Sequence, residues 1–196
     1  MRNSKKKFVR KEFRRPARPV TPRGLVLYYY GDGKGKTTAA VGLATRAAGA
    51  GLRVVFLQFM KTLKWPSFER PALEKLGVDV LVLGSGFVGI IDDRSTLRTH
   101  RTQARKALAT TLRLVRSGRY GVVAADEIVS AVEEGLLTVR DVLALIRAKP
   151  AMVHLVVTGH SRYAAIVQAS DVVTEMQNVK HPYKTEGMLA QKGIDW

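Results

Sequence analysis

The run Gly31-Asp32-Gly33-Lys34-Gly35-Lys36-Thr37-Thr38 constrains this chain more than any other feature. An apolar segment, Leu25–Tyr30, precedes it. A helix-forming segment, Lys36–Ala48, follows, and Gly49 and Gly51 stop it. Glycines let a backbone turn its N–H groups inward and approach an anion closely. The first turn of the following helix adds partial positive charge at the same point. A strand, such a loop and a helix together form a cradle for phosphate groups. The usual spacing is G-x-x-x-x-G-K-[ST]. Gly35-Lys36-Thr37 fits its last three positions, but Tyr30 stands where the first Gly belongs. The loop is therefore a variant, with extra glycines at 31 and 33. Lys36 can reach terminal phosphates, and the Thr37 hydroxyl is placed to ligate Mg²⁺. The alternative, a flexible Gly/Lys turn, does not account for the flanking strand and helix.

Beyond the loop, apolar runs and helix-forming segments alternate to the end. Strands are expected at Val54–Phe59, Val78–Leu83, Val122–Ala125, Val153–Val157 and Val172–Glu175. Helices are expected at Phe68–Leu76, from Leu97 to Val115 and near Ala164–Ala169. Another opens at the capping box Thr138…Asp141 and ends before Pro150. Residues 84–93 form a glycine-bearing loop, and Met176–Trp196 is polar and expected to be irregular. Such alternation implies an α/β fold: a single RecA-like domain with a doubly wound, mainly parallel sheet and helices on both faces. Apolar residues make up 46% and aromatics only 7%, so Ala, Val and Leu supply the core, as suits a sheet buried on both sides. Ligands in such folds bind at the carboxyl ends of the strands. The loops at Gly31, Gly84, Asp126-Glu127 and Thr158-Gly159 all follow strands, so all four should meet at one crevice.

A length of 196 residues suits one ordinary domain. Pro16, Pro19 and Pro22 separate a basic arm, residues 1–23, from a body at 24–196. The arm holds ten basic residues against the single acid Glu12, within a net charge of +17. It is open to three readings: a solvated arm, a segment folding over a ligand or subunit, or a nucleic-acid arm acting by counterion release. The chain has no cysteine, which excludes disulfides and Cys-based metal sites. No apolar run approaches the roughly 18 residues of a membrane span. No apolar segment follows the basic start, so a secretory signal is not expected. A cytoplasmic protein without a membrane anchor is the expectation.

Asp126-Glu127 follows the apolar run 121–125. An acid at the end of a buried strand resembles a Walker B element, which holds Mg²⁺ directly or through water. Asp126 could instead cap a helix starting at Ile128. Thr37, Asp126 and Glu127 are the candidate metal-holding residues. His100 and His154 read as a surface residue and a strand residue, and no pair has metal-site spacing.

Together these residues resemble one family, the P-loop ATP:corrinoid adenosyltransferases of cobalamin biosynthesis. Residues 31–40 closely resemble its phosphate loop. Gln58-Phe59-Met60-Lys61 resembles its Q-F-I-K, Gly86-Phe87 its G-F, Asp126-Glu127 its D-E, and Thr158-Gly159 the start of its T-G-R. Residues 170–176 and Val179-Lys180-His181-Pro182-Tyr183 resemble its A-D-L-V-T-E-M…V-K-H-P-Y. Residues 190–195 fit its A-Q-x-G-I-[ED]. The likeness runs from about Gly24 to Trp196.

The resemblance implies a reaction that a phosphate loop alone does not reveal. Cobalt(I) of a reduced corrinoid attacks the 5′ carbon of ATP, the whole triphosphate leaves, and a cobalt–carbon bond forms. No general base is needed, because the nucleophile is a metal lone pair. The protein has to stabilise triphosphate charge, hold the 5′ carbon in line and exclude water. The resemblance assigns ATP to Gly31, Asp32, Gly33, Lys34, Gly35, Lys36, Thr37, Thr38, Gln58, Lys61, Glu69 and His160. It assigns catalysis to Lys36, Thr37, Phe87 and Glu127, with Phe87 packing on the corrin face. It also implies a homodimer and an electron-donating reductase.

Several positions depart from the family pattern. Asp32 replaces the usual Asn; a negative charge beside triphosphate has to point to solvent or pair with Lys34. Gly89 stands where a Trp often follows G-F, and Trp65 or Phe68 is a candidate replacement. Glu69 is kept without its preceding Gly. His160 replaces the Arg of T-G-R, exchanging a permanent cation for one that depends on pH, and Arg162 is a candidate substitute. These departures leave two rivals: a diverged relative that binds ATP or corrinoid without efficient transfer, and a RecA-like ATPase stimulated by nucleic acid. Few aromatic stacking motifs for single strands argue against the second.

Overall fold

In the computed structural model, the residues described are 21–86, 88–89 and 96–195. Most of the basic arm, and Phe87, lie outside them. The apolar runs become six parallel strands: β1 (Val26–Tyr30), β2 (Val54–Gln58), β3 (Asp79–Val82), β4 (Val122–Asp126), β5 (His154–Thr158) and β6 (Val172–Glu175). They form one sheet in the order β3-β2-β4-β5-β1-β6. Each neighbouring pair is parallel, with Val26 opposite Leu155 and Gln58 opposite Asp126.

Strand period explains the two cores. Val55, Leu57, Val123, Ala125, Leu155 and Val157 face one side, while Val54, Phe56, Val122, Ala124 and Val156 face the other. On the second side lie α1 (Lys36–Gly49), through Ala40, Ala44 and Ala47, and α2 (Glu69–Lys75), through Leu73. The alanine stripe of α1 lets the helix lie close over β1, β4 and β5. The first side is covered by α3 (Leu97–Arg116), α4 (Ile128–Glu133), α5 (Val139–Ala148) and α6 (Ala164–Ala169). Helix α3 buries His100, Ala104, Ala107, Leu108, Thr111, Leu114 and Val115, and turns its arginines outward. The capping box at α5 forms as expected: Thr138 Oγ1 accepts from Asp141 N at 3.3 Å, and Asp141 Oδ2 accepts from Thr138 N at 2.8 Å.

Some expectations change. His100, expected at the surface, is 2% exposed; its ring Nδ1 lies 2.7 Å from Ser85 Oγ, tying α3 to the loop after β3. The polar C-terminal stretch is not wholly irregular, because Pro182–Glu186 forms a short helix, α7. His181 is its N-cap, accepting from Tyr183 N at 3.2 Å. Asp126 does not cap α4: it is the last residue of β4, and Glu127 stands at the cap position.

Candidate active site

The order of the strands sets the site. β5 lies between β1, which carries the phosphate loop, and β4, which carries the acids. Thr158, at the end of β5, bridges the gap: its hydroxyl donates to Asp126 Oδ1 at 2.8 Å and accepts from Glu127 N at 2.8 Å. Thr37, in the first turn of α1, donates to the same carboxylate at 3.1 Å. Lys36 Nζ donates to Gly33 O at 2.7 Å, so the ammonium lies within its own loop. Burial lowers the Lys36 pKa, against the raising influence of Asp32, Glu127 and Asp126. Gly35 has φ 115°, a left-handed turn that only Gly takes cheaply. It starts α1 with its N–H groups turned toward the crevice.

Asp126 is fully buried, and burial raises its pKa. Glu127 is also raised, to about 8, by burial and by the charge of Asp126. Its backbone is left-handed, with φ 62°, a strained state for a residue with a side chain. Its Oε2 is buried without a hydrogen-bond partner among the described residues. An orphan carboxylate oxygen beside Asp126 and Thr37 is a donor set of hard oxygens, and it fits a divalent cation such as Mg²⁺. Of the three residues named for a metal in the sequence, Thr37 and Asp126 touch directly, and Glu127 follows Asp126 in the chain.

A second cluster closes the end of β2. Glu69 Oε1 accepts from Gln58 Nε2 at 2.9 Å and from Lys61 Nζ at 2.8 Å. Arg70 donates to Gln58 Oε1 at 2.7 Å and to Thr62 O at 3.0 Å. Burial pushes Glu69 up, but the hydrogen bond and charge of Lys61 lead the influences that outweigh it and hold the carboxyl at about 2. Phe59 N donates to Asp126 O at 3.0 Å, and Leu83 N to Gln58 O at 2.9 Å, so this cluster adjoins the acids and the Gly84 loop. His160 follows β5; its carbonyl accepts from Gly31 N at 2.9 Å, and its ring Nδ1 lies 3.3 Å from Ser130 Oγ. Burial, then the charge of Lys36, lowers its pKa, against the pull of Glu133, whose carboxylate lies 4.0 Å from the ring. Arg162 is exposed, and its charge acts on Tyr28.

The chain after β6 braces the loop from outside. Gly33 N donates to Met176 O at 2.7 Å, and Asp32 Oδ1 accepts from Asn178 N at 3.2 Å. Asp32 thus spends its charge on a backbone N–H. Lys34 is not its partner but pairs with Asp195 near the C-terminus. Lys192 Nζ lies 5.1 Å from the Phe68 ring centre, a cation–π contact. The C-terminal motif therefore touches both the phosphate loop and the start of α2. Sequence reasoning missed Arg70 and did not assign Thr158 or Asp195 a role. A hydroxyl at the end of an apolar strand marks Thr158 in the sequence, but its bridging place depends on the strand order. Nothing in the local pattern marks Arg70.

The family model described as ATP:corrinoid adenosyltransferase BtuR/CobO/CobP matches residues 22–196. The chain is similar to a corrinoid adenosyltransferase of Pseudomonas aeruginosa, 37% identical over 177 residues, covering 89% of this chain and 84% of the other. It is similar to one from Escherichia coli K12, 33% identical, covering 93% and 90%. The corrinoid adenosyltransferase CobA of Salmonella typhimurium is 33% identical with the same coverage.

Proposed function

Because this chain belongs to the ATP:corrinoid adenosyltransferase family, we propose that it transfers the 5′-deoxyadenosyl group of ATP to cobalt(I) of a reduced corrinoid, with intact triphosphate as the leaving group. The observation that carries this reading is the meeting of Lys36, Thr37, Asp126 and Glu127 at the carboxyl ends of β1 and β4, in a chain matched to the family from end to end of its body.

The chain's own residues divide the work. Gly31, Gly33 and Gly35 allow backbone N–H groups to face phosphate oxygens, with Asp32 turned away onto Asn178. Lys34, Lys36, Thr37 and Thr38 counter the triphosphate charge, which grows on the leaving group as the carbon–oxygen bond breaks. Mg²⁺, held by Thr37, Asp126 and Glu127, supplies further neutralisation of that charge when bound. Lys61, positioned by Glu69, and His160 line the remaining sides. Phe87, which lies outside the described residues, is given by the family resemblance the task of keeping water from a strong reductant. The domain is residues 24–196, with residues 1–23 as an appended arm. The enzyme works in the cytoplasm as a homodimer and receives cobalt(I) from an electron-donating reductase. Edge strand β6, with Val172 37% and Val173 38% exposed, supports a partner copy there.

Anaerobic mixing of the protein with reduced cob(I)alamin, ATP and Mg²⁺ tests this reading. Growth of the adenosylcobalamin spectrum is expected. ATP binding without any adenosylation would favour the diverged binder motivated by Gly89 and His160.

A further inference from the structure

We propose that Arg70 is a positioning residue for the nucleotide site: through Gln58 and Glu69 it fixes the ammonium of Lys61 at the carboxyl end of β2, next to the strand that carries Asp126. The proposal rests on the reading of this crevice as an ATP site. Its basis is the orientation of one buried amide. Gln58 is 0% exposed, so its side chain is out of reach of bulk solvent. Both of its polar ends are taken by the first turn of α2. Oε1 accepts from Arg70 Nε at 2.7 Å, and Nε2 donates to Glu69 Oε1 at 2.9 Å. A flipped amide would set donor against donor at Arg70 and acceptor against acceptor at Glu69, so only one orientation is stable. Arg70 also donates to Thr62 O at 3.0 Å, which ties the segment after β2 to α2.

Lys61 lies on that tied segment. Its Nζ donates to Glu69 Oε1 at 2.8 Å, and the two side chains are 14% and 15% exposed. Gln58 pairs in register with Asp126, and Phe59 N donates to Asp126 O at 3.0 Å, so the segment carrying Lys61 leaves the sheet against the strand end that bears the acids. The chain of contacts therefore runs from Arg70 to Gln58, to Glu69 and to Lys61, at the strand end paired with the one that carries the acids. Arg70 is the member whose planar fork holds two acceptors at once, a geometry that lysine does not reproduce. Without it, Gln58 loses the partner that fixes its amide, and Lys61 and Glu69 lose their common frame.

The test uses the full chain with Arg70→Ala, Arg70→Lys, Gln58→Met and the Arg70→Ala/Gln58→Met double variant. ATP affinity with Mg²⁺ is measured by calorimetry, and KM and kcat for adenosylation are measured separately for ATP and cob(I)alamin. Unfolding midpoints show that each variant folds. Arg70→Ala is expected to weaken ATP affinity and raise KM for ATP by about tenfold or more, with KM for cob(I)alamin unchanged. Arg70→Lys is expected to recover only part of the loss. The double variant is expected to be no worse than the poorer single one, as for residues acting in series. ATP affinity within twofold of wild type in Arg70→Ala, or additive losses in the double variant, would overturn the proposal. Should Arg70→Ala fail to fold, Arg70→Lys decides: unchanged ATP affinity and KM overturn the proposal. Wild-type ATP binding without adenosylation would sink the transfer reading while leaving Arg70 to be judged on ATP affinity alone.

Discussion

Glu127 combines a left-handed backbone, φ 62°, with a buried carboxylate whose Oε2 has no hydrogen-bond partner among the described residues. Both are costly, and such costs gather where function fixes the geometry. Its titration has a readable consequence. The folded pKa is about 8 against an ordinary 4.5, so the folded chain keeps a proton that the unfolded chain releases. Stability without nucleotide or metal therefore falls as pH rises from about 4.5 to about 8. Glu127→Gln is expected to make that decline shallower, leaving the share of Asp126, whose pKa burial also raises. Urea midpoints of the two proteins across this range check it; parallel curves would contradict the buried-carboxylate account. At Lys36, Ala is expected to reduce ATP affinity and turnover by about 100-fold or more. Retained turnover in that variant would mean the phosphate site lies elsewhere. Lys36, Thr37 and Asp126 were legible in the sequence because a phosphate cradle needs those residue types at fixed offsets from strand ends. Arg70 and Asp195 were not, because each acts through a contact made only when α2 or the C-terminus folds back on the loop.

Elements were legible where their period was long enough to read. Helix α3 spans Leu97–Arg116, and its buried positions recur at helical spacing, so its existence followed from the pattern. The strands were legible as short apolar runs between glycines, but their order was not. That β5 separates β1 from β4 is a matter of topology, and it is what gives Thr158 its bridging place. Helices α4 and α7, of 6 and 5 residues, are too short to show a period. His100 was misread because a polar residue in an arginine-rich helix looks exposed, while its partner Ser85 comes from a separate loop. The contact between the phosphate loop and the chain after β6 leads to a prediction. A Cβ at Gly33 would lie 2.6 Å from the backbone at Met176 O and Gln177 C, whereas one at Gly42 meets nothing within 4 Å. Gly33→Ala is expected to destabilise by about 1–3 kcal/mol through overpacking. Gly42→Ala, in the exposed middle of α1, is expected to stabilise by about 0.5–1 kcal/mol. Thermal unfolding of the pair checks it, and equal effects would show that the loop is not braced from outside.

At the scale of the whole molecule, charge and surface bear on partners. The net charge of +17 favours anionic ligands by steering, and part of it belongs to the arm. Among the described residues, no helix is long and apolar enough to cross a membrane. The edge strand β6 and the exposed Val179, Leu189 and Ile194 leave apolar surface on the side of the phosphate loop. Sedimentation at assay concentrations is expected to show a dimer; monomer alone would remove that part of the account. The central claim is substitution at the 5′ carbon of ATP. The fate of the phosphates under anaerobic turnover with cob(I)alamin tests it most directly. Intact triphosphate, formed in equal amount to adenosylcobalamin, is predicted. ADP with orthophosphate, released without adenosylcobalamin and stimulated by nucleic acid, would contradict it.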